Sequence, residues 1–252
     1  MKQTLNILSI DFDFFQIVDK ETLHKCYPDG HDLSTELSKM VWAGYYANPN
    51  TKDKLNAVKL NVDALNELQS LINLCDKNTP VLVTNSHKHI YNFIKSHDKN
   101  TELTTKLKIT NIDMHHDMFD NFEEVDCGNW LLRLSNEYPT DITWVANAIS
   151  NDMYPMDETN MFHIQQDFSN INPTDIDLIF LCRSDIWLPP HLDVYFNELI
   201  KLLCKRFVDV KGENSILSPR NMSELIATQE QFYKNIKGEI HGKNNQNMER
   251  PV

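Results

Sequence analysis

The run Ile176-Asp177-Leu178-Ile179-Phe180-Leu181 constrains the fold more than any other stretch, because it is almost continuously apolar over strand length. A strand with one solvated face alternates polar and apolar residues, whereas one buried on both faces does not, so this run predicts a central strand of a parallel sheet. Shorter apolar runs recur at Thr4–Ile10, Pro80–Thr84, Leu107–Ile109, Ile142–Ala146 and Met161–Ile164. Helical spacing separates several of them. Val58, Val62, Leu65, Leu68, Ile72 and Cys75 share one face, as do Leu33, Leu37, Met40, Val41 and Trp42 in a helix expected over His31–Ala47. Further helices are expected over Val194–Phe207 and Met222–Ile236. Strands alternating with helices predict an α/β unit.

At 252 residues one domain can bury a large core. We expect a single α/β domain over 1–236, with a helical insertion at about 21–76, and a polar, disordered tail over 237–252. The net charge of −12, with no Lys/Arg cluster, argues against nucleic acid and suits cationic ligands. No apolar run is long enough to span a membrane. Five scattered cysteines without a C-x-x-C pair fit a reducing cytoplasm rather than a disulfide framework. No phosphate-binding glycine loop or nucleophile elbow is present, which removes dinucleotide, P-loop and serine-hydrolase chemistry as first choices.

Metal-competent residues gather where strands are predicted to end. Asp113, His115 and Asp117 alternate after the run at Leu107–Ile109, and Asp11 and Asp13 alternate after the first strand among Phe12, Phe14 and Phe15. Alternation places such groups on one face of an extended strand. Enclosed carboxylates spaced in this way need a compensating cation. His87 follows the strand at Pro80–Thr84, with His89 its local rival. Four carboxylates and two imidazoles exceed what one open catalytic ion needs and suit a bridged pair of divalent ions. Oxygen-rich ligation favours two manganese ions, with iron and cobalt as alternatives. The implied chemistry is metal-assisted hydrolysis. Asp185, after the central strand, is a candidate for substrate binding or for a salt bridge with Arg183, and Asn129 in Cys127-Gly128-Asn129-Trp130 could bring an amide to a substrate or serve a plain turn.

These residues resemble the ligand motifs of the arginases and agmatinases. Asp113-x-His115-x-Asp117 is similar to their D-x-H-x-D motif, Ser9-x-Asp11-x-Asp13 to S-x-D-x-D, and His87 to the histidine ending G-G-D-H. Here the S-x-D-x-D element opens the chain, Phe14-Phe15-Gln16 follows Asp13, and Thr84-Asn85-Ser86 stands before His87. That arrangement looks more like a divergent ureohydrolase branch that includes the peptide arginases. The resemblance implies a three-layer α/β/α sandwich with a mostly parallel sheet. It also implies one manganese held by His87, Asp113, Asp117 and Asp11, and a second held by Asp113, His115, Asp11 and Asp13, with Asp113 and Asp11 bridging. The substrate would be an arginine-containing precursor peptide made by the ribosome, converted to ornithine with loss of urea. His89 and His116 are candidates for the proton-shuttling histidine, and Asp185 for the group that holds the guanidinium. The alternatives are a metal hydrolase of another amide, guanidino or phosphoester bond, and a non-catalytic metal-stabilised peptide-binding module.

Overall fold

The computed structural model describes residues 3–28, 32–101, 104–120, 123–154, 162–212 and 216–246. His31, Met161 and residues 247–252, which carried sequence expectations, lie outside them.

Among the described residues, nine strands form two sheets. They are β1 (Gln3–Asp11), β2 (Gln16–Ile17), β3 (Lys59–Leu60), β4 (Val81–Thr84), β5 (Thr104–Asp113), β6 (Thr140–Ala146), β7 (His163–Gln165), β8 (Leu178–Cys182) and β9 (Val210–Gly212). Seven of them make one sheet in the order β7-β6-β5-β1-β8-β4-β9, and every pairing in it is parallel. β2 and β3 form a separate antiparallel pair. The apolar run at 176–181 is indeed central: all five residues of β8 are buried. Leu178, Phe180 and Cys182 enter the core on one face, and Ile179 and Leu181 enter the core on the other. β9 is missed by sequence reading because Val210-Lys211-Gly212 offers one apolar side chain and no alternation.

Among the described residues, nine α-helices accompany the strands: α1 (Lys20–Cys26), α2 (Thr35–Ala47), α3 (Lys52–Asn56), α4 (Val62–Leu74), α5 (His89–Thr101), α6 (Trp130–Glu137), α7 (Ser150–Met153), α8 (Asp193–Arg206) and α9 (Ser223–Gln246). Ile90 and Ile94 of α5 and Trp130, Leu131 and Leu134 of α6 cover one face of the sheet. Leu65, Leu68 and Ile72 of α4 and Phe196, Leu199 and Leu203 of α8 cover the other. Helices thus flank the parallel sheet on both faces, as continuous burial of β8 requires.

The stretch at 21–76 ends in α4, a helix of the sheet's own covering layer. The expected apolar face of α2 is corrected. Leu37 and Met40 are about half exposed, while Thr35, Ser38, Trp42, Ala43 and Tyr46 are buried. Polar residues won that face because Thr35 and Ser38 have hydrogen-bond partners beneath them, so their burial carries little desolvation cost. α9 continues to Gln246, well past Ile236.

All seven strands point the same way, so their C-terminal ends share one edge. From β1 the chain leaves toward β4, on one side, and from β5 it leaves toward β6, on the other. The crevice between the ends of β1 and β5 is therefore a topological switch point, where ligands of open α/β sheets bind.

Candidate metal centre

Ile10 pairs with Ile112 across that crevice. The next residues, Asp11 and Asp113, thus leave adjacent strands side by side. Only these two belong to strands. Asp13 lies in a single 3-10 turn, Phe12–Phe15, whose entry Asp11 caps by accepting the Asp13 backbone N–H at 3.3 Å. The expected strand alternation is corrected there: the tight turn, with Phe12, Phe14 and Phe15 buried, carries Asp13 inward. Likewise His115 and Asp117 fall beyond β5. The His115 backbone N–H donates to Asp113 Oδ1 at 2.8 Å, and Asp117 takes a positive φ of 53°. A non-glycine residue in that region is strained and must be held by its surroundings. The Trp130 indole N–H, donating to Asp117 Oδ2, helps to hold it.

His87 comes from the loop between β4 and α5. Its Nδ1 stands 3.0 Å from Asp117 Oδ2, 3.1 Å from Asp113 Oδ2 and 3.3 Å from Asp11 Oδ2. Its Nε2 is 2.7 Å from the Ser9 hydroxyl, and its ring stacks on Phe180 and leans on Trp130. His115 Nδ1 lies 3.1 Å from Asp13 Oδ2 and 3.6 Å from Asp113 Oδ1. Two overlapping triads result, Asp11-His87-Asp113 and Asp13-Asp113-His115, each with ligand atoms within 4.8 Å of one another. Asp113 belongs to both. Asp117 joins the first through His87.

Three tests favour a cation. Metal–ligand bonds of about 2.0–2.2 Å place neighbouring ligands of one ion about 3 Å apart, close to the separations at His87. The ligands are also buried yet unsatisfied: neither carboxylate oxygen of Asp13, nor His87 Nδ1, nor His115 Nε2 makes a hydrogen bond. Finally, the charges conflict without a cation. Burial, reinforced by Asp113, pushes Asp11 and Asp117 up, and burial with Asp11 beside it pushes Asp13 up to about 7. Burial alone would also raise Asp113, but the imidazoles of His115 and His87 close beside it outweigh that and hold the carboxyl down. Burial disfavours the charged forms of His87 and His115, yet the surrounding carboxylates, and Tyr154 for His115, hold both above the ordinary range. A bound divalent ion would reverse this proton-sharing and keep the carboxylates ionised.

The remaining candidates stand elsewhere. His89 opens α5 and lines a groove with Leu82, Thr84 and Lys211, apart from the two triads. His116 is packed among Phe119, Trp144, Tyr154 and Phe162. Its Nδ1 accepts the Met118 backbone N–H at 3.0 Å, and burial, with His115 nearby, pushes it down to about 4. Asn129 has both ends of its amide in its own loop, donating to the Glu124 carbonyl at 2.8 Å and accepting from the Asp126 N–H at 2.7 Å. That is the turn reading.

Asp185 is held within the protein. Its carboxylate takes both the Nε and an Nη of Arg183 and the Thr35 hydroxyl at 2.7 Å. Its carbonyl accepts from Ser38, from the Trp42 indole and from Arg220. Burial pulls its carboxyl up, but Arg220 and Arg183 overcome this and hold it below the ordinary range. This is the expected salt bridge with Arg183, enlarged by Arg220, which also grips Asp193 at 2.7 and 2.8 Å. Arg220 escaped sequence reading because its partners lie far away along the chain.

Two aromatic neighbours of the centre were also missed. Trp187 lies 4.7 Å from the His115 ring, and Tyr154 lies 6.5 Å from it.

Fold and site together define a parallel α/β protein with a buried His/Asp cluster that could bind metal. No family model, curated protein or solved structure gives a significant match to the chain. Among the described residues, no helix is long and apolar enough to cross a membrane.

Proposed function

We propose that this chain is a metal-dependent hydrolase that uses two divalent cations, manganese by preference, to convert arginine residues of a precursor peptide into ornithine and urea. The observation that carries the reading is the position of Asp113 in both triads, because a shared carboxylate is what a paired site needs. His87, Asp11, Asp113 and Asp117 would hold one cation, and His115, Asp13 and Asp113 the other. Bound there, the pair would supply Lewis acidity and make water acidic enough to serve as a nucleophile near neutral pH.

The chain's own residues supply the rest. Ser9 fixes the ring of His87 so that Nδ1 faces the carboxylates. Burial excludes competing water and strengthens every electrostatic contact inside the site. In the reaction the oxygen of water bonds to the guanidinium carbon. The bond from that carbon to the side-chain nitrogen breaks, both protons of the water pass to that nitrogen to give the ornithine ammonium, and neutral urea leaves. The guanidino substrate rests on the resemblance of the three ligand motifs to those of the ureohydrolases. The acidic balance of the chain suits a cationic substrate. All five cysteines are unpaired, which supports a cytoplasmic setting.

The test is metal analysis of the purified chain together with mass spectrometry of arginine-containing peptides incubated with it and Mn²⁺. About two ions per chain and a loss of about 42 Da per modified arginine are expected, the latter fixed by the stoichiometry of hydrolysis. A chain without metal under non-stripping conditions would overturn the metal reading. Unchanged mass across diverse arginine peptides would overturn the substrate.

A further inference from the structure

The six clustered residues are not equally shielded. Side-chain exposure is 0–4% for Asp11, Asp13, His87, Asp113 and Asp117, but 11% for His115. His115 is the least shielded of the six, which makes its side the approach a substrate would use. The ring packed closest to that imidazole is Trp187, 4.7 Å away and inclined at 52°.

Trp187 differs from the other tryptophans of the chain. Trp42, Trp130 and Trp144 are buried to within 1%, whereas Trp187 is only partly buried. Its backbone is firmly placed. The Trp187 N–H donates to the Ser184 carbonyl at 2.8 Å, and Gln16 donates to the Trp187 carbonyl at 3.2 Å. Ser184 takes a φ of 56°, one of two positive-φ non-glycine residues among those described, the other being Asp117. The Arg183–Asp185–Arg220 network anchors the same turn and donates to the Leu188 carbonyl at 2.7 Å. A strained turn clamped by buried charges thus delivers a partly buried indole to the least shielded member of an acidic cluster.

We propose that Trp187 is the specificity-determining residue of the site, presenting its indole face to a planar cation, the guanidinium of a substrate side chain. Tryptophan is the strongest cation–π partner among the side chains, and a guanidinium also stacks on it through its plane. An aliphatic residue there would cover His115 equally well but would not distinguish a guanidinium from a neutral ureido group of the same shape. The inference rests on the hydrolase reading for its substrate, while the recognition it describes is measurable without turnover.

The experiment compares full-length wild type, Trp187→Phe and Trp187→Leu, all metal-loaded, with arginine amide and its neutral analogue citrulline amide as probes. Binding is read from intrinsic tryptophan fluorescence for the wild type and by calorimetry for all three chains. Arginine amide should alter the wild-type emission saturably. Trp187→Leu should weaken its binding about three- to thirty-fold, and Trp187→Phe should recover most of that loss. Citrulline amide should bind weakly and equally to all three, with metal content and thermal midpoint unchanged. Equal affinity of wild type and Trp187→Leu for arginine amide overturns the proposal, as does a loss that extends equally to citrulline amide. Where arginine peptides are hydrolysed, Trp187→Leu should raise KM by the same factor and leave kcat within about threefold. Guanidinium binding that depends on Trp187 without hydrolysis removes the hydrolase reading alone. Hydrolysis indifferent to Trp187 removes the recognition alone.

Discussion

Ser9 and His87 meet through a 2.7 Å contact between a hydroxyl and Nε2, and that contact settles which imidazole nitrogen faces the carboxylates of Asp11, Asp113 and Asp117. Partners that orient a ligating histidine are worth about 10- to 100-fold in metal affinity. Ser9→Ala should therefore weaken the first cation site by that factor while the circular dichroism spectrum stays native. Metal titration with a competing chelator reads the change, and an unaltered affinity would show that Ser9 does not orient the ring.

Asp113 and Asp13 should behave differently because only Asp113 is shared between the triads. Asp113→Ala should empty both positions, whereas Asp13→Asn should leave about one ion per chain. Elemental analysis of the folded variants decides. Equal losses from the two substitutions would mean that the triads form a single site.

Stability of the metal-free chain should fall as pH rises. Burial, with Asp11 beside it, raises Asp13 to about 7 in the folded chain, against 3.8 ordinarily. A raised folded value contributes stability that is complete below the unfolded value and lost as pH climbs through the folded one. The raised values of Asp11, Asp117, His87 and His115 act in the same direction, and the depressed value of Asp113 acts against them. The thermal midpoint of the chelator-treated protein should drop between about pH 6 and pH 8. Saturating Mn²⁺ should remove that slope, since bound metal takes the place of the protons. A metal-free midpoint flat across this window would contradict the charge conflict described for the centre.

Arg220 and Asp185 are supports, and their loss should appear in stability. Truncating one partner of a buried ion pair costs about 3–5 kcal/mol because it strands the other charge. Arg220→Ala, which takes the guanidinium from Asp193 and one of three donors from the Asp185 carbonyl, should lower the unfolding free energy measured by denaturant titration by about that amount. For Asp185→Asn, a structural carboxylate predicts reduced stability with little change in KM. A carboxylate that holds a substrate guanidinium predicts the reverse.

The parallel sheet and most of its strands were legible because double-sided burial writes itself into local composition, as at β8 and β4. The six clustered residues were legible because short motifs carry unusual chemistry at strand ends. The small sheet of β2 and β3 and the edge strand β9 were not, since two or three residues carry no period. The polar face of α2 was misread because its local pattern puts Leu37 and Met40 inward, while Thr35 and Ser38 are drawn in by Asp185, far along the chain.

By itself the sequence determined that carboxylates and imidazoles would stand at the C-terminal ends of buried strands, because strand length and motif position are local properties. Only the tertiary structure decided which of them meet. β1 lies beside β5, so Asp11 and Asp113 adjoin; a 3-10 turn swings Asp13 inward; and His87 arrives from a strand two places away. It also placed the other candidates. His116 entered an aromatic enclosure, the Asp185–Arg183 pair that the sequence offered gained Arg220, and Trp187, with no motif to announce it, was set against His115. Such outcomes depend on contacts between distant segments, and no local pattern encodes them.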